Sequence, residues 1–132
     1  MNDRYLYRAK RIDNDEWTYG YLYGIWERKY ILWGMINDIP NMTEVDTTTI
    51  CQCTGLKDKN GKLIWENDIV AYWDSYSTES GLAEADCIGK VVWDDETISF
   101  QVTNRLSAES YEVLGDECSV IGNVFDNPEL LE

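Results

Sequence analysis

Trp17-Thr18-Tyr19-Gly20-Tyr21-Leu22-Tyr23-Gly24-Ile25 is the stretch that sets the fold class. Trp17, Tyr19, Tyr21, Tyr23 and Ile25 fall on every second position without a miss. Successive side chains of a strand point to opposite faces, so one face carries these five large groups and the other carries Thr18, Gly20, Leu22 and Gly24. After the polar break Glu27-Arg28-Lys29 comes Tyr30-Ile31-Leu32-Trp33, which predicts a hairpin. Upstream, Arg4 to Arg11 predicts a further strand with Tyr5, Tyr7 and Ala9 on one side. Downstream, Asn37 to Glu44 predicts a loop around Ile39-Pro40-Asn41, and the β-branched run Thr47 to Cys51 predicts extended chain.

The same alternation of short apolar runs and turns continues. Asn60-Gly61, between Leu56 and Leu63-Ile64-Trp65, is a strong hairpin signal because both residues tolerate positive φ. Asp68 to Trp73 predicts a strand leading into Asp74–Asp86, a Ser/Gly/Glu-rich segment expected to be a loop. Ile88–Trp93 and Ile98–Val102 predict a hairpin across Asp94-Asp95-Glu96-Thr97. Residues 104–117 are polar, with one helical turn expected near Ser107 to Leu114. Val120-Ile121 and Val124-Phe125 predict a last strand, and Asn127-Pro128 an N-cap and first position of a short turn.

Length and composition agree with one small β domain. The chain has 132 residues, with six Trp and nine Tyr but only two Pro. Strands with turns about every ten residues argue for a barrel or sandwich. The succession in the second half (strand, long loop, strand, tight hairpin, strand, short strand) predicts an SH3-like small barrel over residues 54–132. Residues 1–53 are expected to be an N-terminal β-hairpin extension of that single domain.

The net charge is −14, unevenly spread. Residues 1–66 carry nine Lys/Arg against ten Asp/Glu, whereas residues 67–132 carry two against fifteen. Phosphate binding needs clustered Lys and Arg, so this balance argues against direct nucleic-acid binding despite Arg4, Arg8, Lys10 and Arg11. No apolar run approaches the length of a membrane span, and the N-terminus lacks a signal-like apolar segment. The expected setting is the cytoplasm of a bacterial host cell. There Cys51, Cys53, Cys87 and Cys118 would be ordinary reduced thiols.

Two segments resemble a known family. Thr54-Gly55-Leu56-Lys57-Asp58-Lys59-Asn60-Gly61-Lys62-Leu63-Ile64-Trp65-Glu66-Asn67-Asp68-Ile69-Val70 closely resembles the signature of the YopX family, and Ile121-Gly122-Asn123-Val124-Phe125-Asp126-Asn127-Pro128-Glu129-Leu130-Leu131 resembles its C-terminal signature. Trp17 with Gly20 is similar to that family's N-terminal tryptophan and glycine. Asn67 stands where the family pattern has Gly, and Asn is the next best residue for a left-handed backbone. The resemblance implies a phage or prophage protein, all-β, with no established activity and no catalytic residues to carry over. Its turn residues here are Gly55, Asn60, Gly61, Glu66, Asp68, Gly122, Asn123, Asn127 and Pro128, with a structural role.

The sequence assembles no catalytic apparatus. Histidine is absent, which removes Ser-His-Asp and Cys-His catalysis and His-ligated metals. Cys51-Gln52-Cys53 is spaced too tightly for a usual structural zinc pair. Glu66 and Asp68 sit as close as paired acid–base carboxylates do, but both flank a tight turn whose N–H groups they can accept. Asp94-Asp95-Glu96, with Glu84 and Asp86, lacks the order of a calcium loop. The glycines never group into a phosphate loop. No enzyme activity, cofactor or metal is therefore expected.

The Trp17–Tyr23 row suits a core or a subunit interface, and an alternating aromatic row can also stack a sugar or base. The leading expectation is a non-enzymatic interaction module whose protein partner is unknown and extends to self-association. Its candidate partner surface comprises Trp26, Trp73, Tyr76, Glu79 and Asp86. The second reading is an acidic nucleic-acid mimic that sequesters a host DNA-binding protein. A carboxylate- or metal-dependent enzyme ranks last.

Overall fold

The structure is a computed structural model that describes residues 5–78, 81–96, 98–104, 107–112 and 118–131. Of residues 35–36, 73–78, 82–86, 104 and 107–112 it describes the backbone. Eleven strands are described: β1 Tyr7–Lys10, β2 Trp17–Ile25, β3 Arg28–Ile36, β4 Ile39–Glu44, β5 Cys51–Lys57, β6 Leu63–Trp65, β7 Asp68–Thr78, β8 Gly81–Asp94, β9 Ser99–Asn104, β10 Ser107–Glu112 and β11 Cys118–Asn123. They form two sheets, ordered β4-β3-β2-β1-β5-β6 and β10-β9-β8-β7-β11. The chain divides into two compact units, Met1–Gly55 and Leu56–Glu132.

In the N-terminal unit the predicted β2 strand has its expected bounds, but it changes partner midway. Residues 17–20 pair with β1 and residues 21–25 with β3. The handover falls at Gly20, where an added Cβ would collide with the Leu32 carbonyl oxygen on the neighbouring strand. A glycine is required here for close backbone approach. The unit's core is Ala9, Ile31 and Val45, with Tyr7 and Ile50 packed against them. Tyr7 pairs with Gly20 and Ala9 with Thr18, so the small-residue face of β2 looks to this core. The aromatic row looks the other way.

Two local expectations in this unit are corrected. Residues 39–44 are a strand rather than a loop. Asn37 (φ 51°) and Asp38 (φ 63°) both adopt positive φ, as a two-residue hairpin turn demands. Pro40 lies on the sheet's outermost strand, the position where a missing N–H is tolerated. Thr47–Thr49, expected to be extended, form a 3-10 turn instead. Asp46 Oδ1 accepts from the Thr48 backbone N–H (3.0 Å) and from its hydroxyl (2.7 Å), and this competes successfully with strand geometry.

The C-terminal unit corrects the barrel. Its five-stranded sheet is open, with β10 at one edge and β11 at the other. Closure requires the two edges to pair, and among the described residues they do not. The cause lies in residues 74–86. Rather than a loop, most of them are rungs of one long ladder running from Ile69↔Lys90 to Thr78↔Gly81. A hairpin satisfies its backbone groups whatever its side chains, so a polar sequence is compatible with strand where water covers it. The ladder extends the sheet instead of releasing the chain to curl back. Likewise Ser107–Glu112 pair with β9 rather than forming a helical turn. The closing strand ends at Asn123, ahead of Val124 and Phe125.

The core of this unit is Ile64, Val70, Val91, Val102 and Cys118, with Tyr72, Phe100 and Val120 against it. The β8–β9 hairpin forms as expected, from Lys90↔Thr103 to Asp94↔Ser99. Its end is fastened by Trp93 and Phe100 packed edge to face at 5.0 Å.

Candidate interaction surface

Two short hydrogen-bonded motifs fasten turns of the C-terminal unit. In the first, the Asp58 carboxylate is 4% exposed and takes three backbone N–H groups. Its Oδ1 accepts from Asn60 and Lys62 (both 2.9 Å), and Oδ2 accepts from Val120 on β11 (2.9 Å). The Asn60-Gly61 hairpin is thereby tied to a strand some sixty residues away in sequence. The backbone adds Lys59 N–H to Cys118 O (3.0 Å). Burial pushes the Asp58 carboxyl up. The three N–H groups and the Lys62 charge more than offset this, leaving it below its ordinary value.

In the second motif, Asn123 and Asn127 clasp each other. Asn127 Oδ1 accepts from Asn123 N–H (3.2 Å), and Asn127 N–H donates to Asn123 O (2.9 Å). Asn123 Oδ1 accepts from Phe125 (3.0 Å) and Asp126 (2.9 Å). The Asn127 side chain lies across Gly122, where an added Cβ would stand 2.6 Å from Asn127 Oδ1. Pro128–Leu131 form a 3-10 turn, but the Asn127 side chain reaches back to Asn123 rather than acting as the expected cap.

Other turn residues lie nearby in the chain. Gly55 (φ 83°) and Gly61 (φ 81°) take the left-handed backbone. Asn67 does too (φ 69°), donating to Val91 O (2.8 Å) and accepting from Val124 N–H (3.0 Å). Asp68, 1% exposed, accepts the Trp65 N–H through Oδ2 (2.8 Å), and Glu66 is half-buried beside it.

The thiols are packing groups. Cys51, Cys53 and Cys118 are buried and Cys87 is half-buried, all as free thiols. Burial pushes the Cys118 thiol up, and the carboxylates of Asp58 and Asp68 push it further against the opposing charge of Lys59. A raised thiol is a poor nucleophile at neutral pH. Among the described residues, no three His, Cys, Asp or Glu side chains stand where they could share a metal ion. Also among them, no helix is long and apolar enough to cross a membrane.

The most distinctive surface is the three-stranded meander β2–β3–β4. Cross-strand partners share a face, so Tyr21↔Leu32, Tyr23↔Tyr30, Ile25↔Arg28 and Leu32↔Met42 lie with Tyr19 on the side away from Ala9. Tyr19 (51%), Tyr23 (47%), Ile25 (43%) and Met42 (46%) remain exposed there. A shallow groove of about 320 Å³ runs along Leu6, Tyr19, Tyr21 and Leu32. Exposed apolar groups also occur elsewhere on the meander, at Leu22, Trp33 and Ile39. Trp33 donates its indole N–H to Thr43 Oγ1 (3.2 Å).

Trp26 occupies the β2–β3 tip, 94% exposed and at φ 55°. A left-handed backbone costs a non-glycine residue about 1–2 kcal/mol. Trp26 gains almost no burial in return.

The described sequence-predicted partner residues are divided between the two units. Trp26 lies in the N-terminal unit. Trp73, Tyr76 and Asp86 lie on the β7–β8 ladder, with Trp73 directly opposite Asp86. Glu79 lies outside the described residues. The sequence left the row containing Tyr23 and Ile25 open between core and subunit interface, and gave no sign of Met42 and Ile39, because Pro40 disguised β4. Sequence reading also passed over Asp58, although an aspartate two residues before Asn-Gly is a recognisable turn signal.

Two open sheets with one exposed apolar meander define an all-β protein, with no catalytic-site signature among the described residues. The model of the YopX protein family matches residues 6–132. The chain belongs to the YopX family, a group of phage and prophage proteins of unknown function. Three solved chains match. One is protein EF1440 from Enterococcus faecalis, whose crystal structure aligns with a TM-score of 0.53 at 23% identity over 96% of each chain. That similarity establishes a shared fold. A comparison with curated proteins finds no match.

Proposed function

We propose that this chain is a non-enzymatic, phage-encoded interaction module. It acts in the cytoplasm of the bacterial host, and the β2–β3–β4 meander is its contact surface. One observation carries the reading: Tyr19, Tyr23, Ile25 and Met42, each at least 43% exposed, share one face of a three-stranded segment, with Trp26 at its tip. A contiguous apolar patch in water is costly, and such patches mark interaction sites. The turn at Trp26 supports it, since a strained aromatic with little burial gains nothing from the fold itself. Aromatic anchors also dominate interface energetics.

Photo-crosslinking in the producing cell tests this. A crosslinking amino acid at Trp26 or Tyr23 is expected to give protein adducts, and one at exposed Lys90 of the other unit to give fewer. An absence of adducts from both meander positions refutes the reading.

Charge partition favours a second reading, nucleic-acid mimicry. Residues 56–132 hold seventeen Asp/Glu against five Lys/Arg. Mimicry requires capture of a DNA-binding protein that DNA displaces and that weakens steeply with salt. Salt-independent capture excludes it.

A further inference from the structure

We infer that the occupant of the tyrosine face is a second copy of this chain, stacked on it about a two-fold axis. This deepens the proposed function by naming the partner.

The first argument is charge. Residues 17–44 carry Glu27, Asp38 and Glu44 against Arg28 and Lys29, whereas residues 56–132 have a net charge of −12. The meander is therefore nearly neutral within a strongly acidic chain. A basic partner would be drawn to the acidic unit. The neutral tyrosine face suits a partner recognised by apolar contact, and contact between two such faces juxtaposes little like charge.

The second argument is self-complementarity. Arg28 is in register with Ile25, and Glu44 with Tyr30, so both charges lie on the tyrosine face. An isologous contact pairs residue i with j and j with i. A two-fold axis near Tyr30 would set Arg28 of each copy against Glu44 of the other, with Tyr23, Ile25 and Met42 stacked around them.

The third argument is area. Strands of nine, nine and six residues make a face about 30 Å by 14 Å, on the order of 400 Å² in outline. Trp26 adds up to about 200 Å². About 600 Å² per partner lies at the lower limit of a specific interface, so the dimer is reversible rather than obligate.

The experiment is sedimentation of the full chain over a range of concentrations, in about 50 mM and about 500 mM NaCl. We expect a monomer–dimer equilibrium that tightens several-fold at high salt, because screening removes repulsion between copies of charge −14. Tyr23→Glu should weaken dimerisation at least tenfold, with unchanged circular dichroism, and Tyr23→Phe should preserve it. Arg28→Glu and Glu44→Arg should each weaken it, and the double charge swap should restore it. Ile25→Glu at the exposed end of β2 provides a second disruption if Tyr23→Glu fails to fold. A chain that stays monomeric at high salt, or a dimer indifferent to both glutamates, overturns the inference. A monomer whose meander still crosslinks to another protein overturns the second copy alone and leaves the proposed function standing. A meander that crosslinks to nothing overturns both.

Discussion

Replacing Asp58 by Ala should destabilise the C-terminal unit by about 3 kcal/mol. The substitution removes the acceptor of three backbone N–H groups at 2.9 Å. They are not equivalent. Asn60 and Lys62 are exposed, so water can replace the carboxylate, at roughly 0.5–1 kcal/mol each. Val120 is half-buried on β11, and its N–H faces a loss of about 1–3 kcal/mol when left without an acceptor. Relief of the carboxylate's own burial subtracts from the sum. Asp58→Asn should recover less than half, since its amide offers one acceptor oxygen and turns an NH₂ toward a donor.

The measurement is urea unfolding followed by Trp fluorescence, reporting through buried Trp65. The pH dependence provides a sharper check. A carboxyl whose folded pKa lies below its unfolded value of about 3.9 contributes stability that is complete above the unfolded value. The unfolded chain binds more protons in the window between the two values, so that contribution falls as pH drops through the folded pKa. The gap between wild type and Asp58→Ala should therefore be constant at pH 5–7 and shrink below about pH 4. A loss under about 1 kcal/mol, or a gap that does not change with acid, would refute the reasoning.

Gly122→Ala should cost about 1–3 kcal/mol by displacing the Asn127 side chain, and Asn127→Ala about 1 kcal/mol. The double mutant should lose less than the sum, because removing Asn127 makes room for the methyl group; a double-mutant cycle by denaturant melting checks this. At Asn67, φ 69° predicts that Asn67→Gly is tolerated while Asn67→Val costs at least about 1–2 kcal/mol. Thermal melts of the two variants with indistinguishable midpoints would contradict it.

Where a rule acts over a few neighbouring residues, the sequence was enough. Period-two spacing placed β2, Asn60-Gly61 placed its hairpin, and the Asn at position 67 implied a left-handed turn. The family too was legible, because its signatures are strings of turn residues whose backbone demands are local. Three decisions needed the tertiary structure. Residues 74–86 pair or loop according to whether a complementary strand runs beside them, and polarity says nothing about that. The open sheet follows from that ladder, since closure depends on where distant edges lie. The tyrosine row alternates identically whether it is buried or bare. Only the packing of Ala9, Ile31 and Val45 against the opposite face of β2 turned it outward, because a strand's pattern fixes which side chains share a face but not which face meets the core.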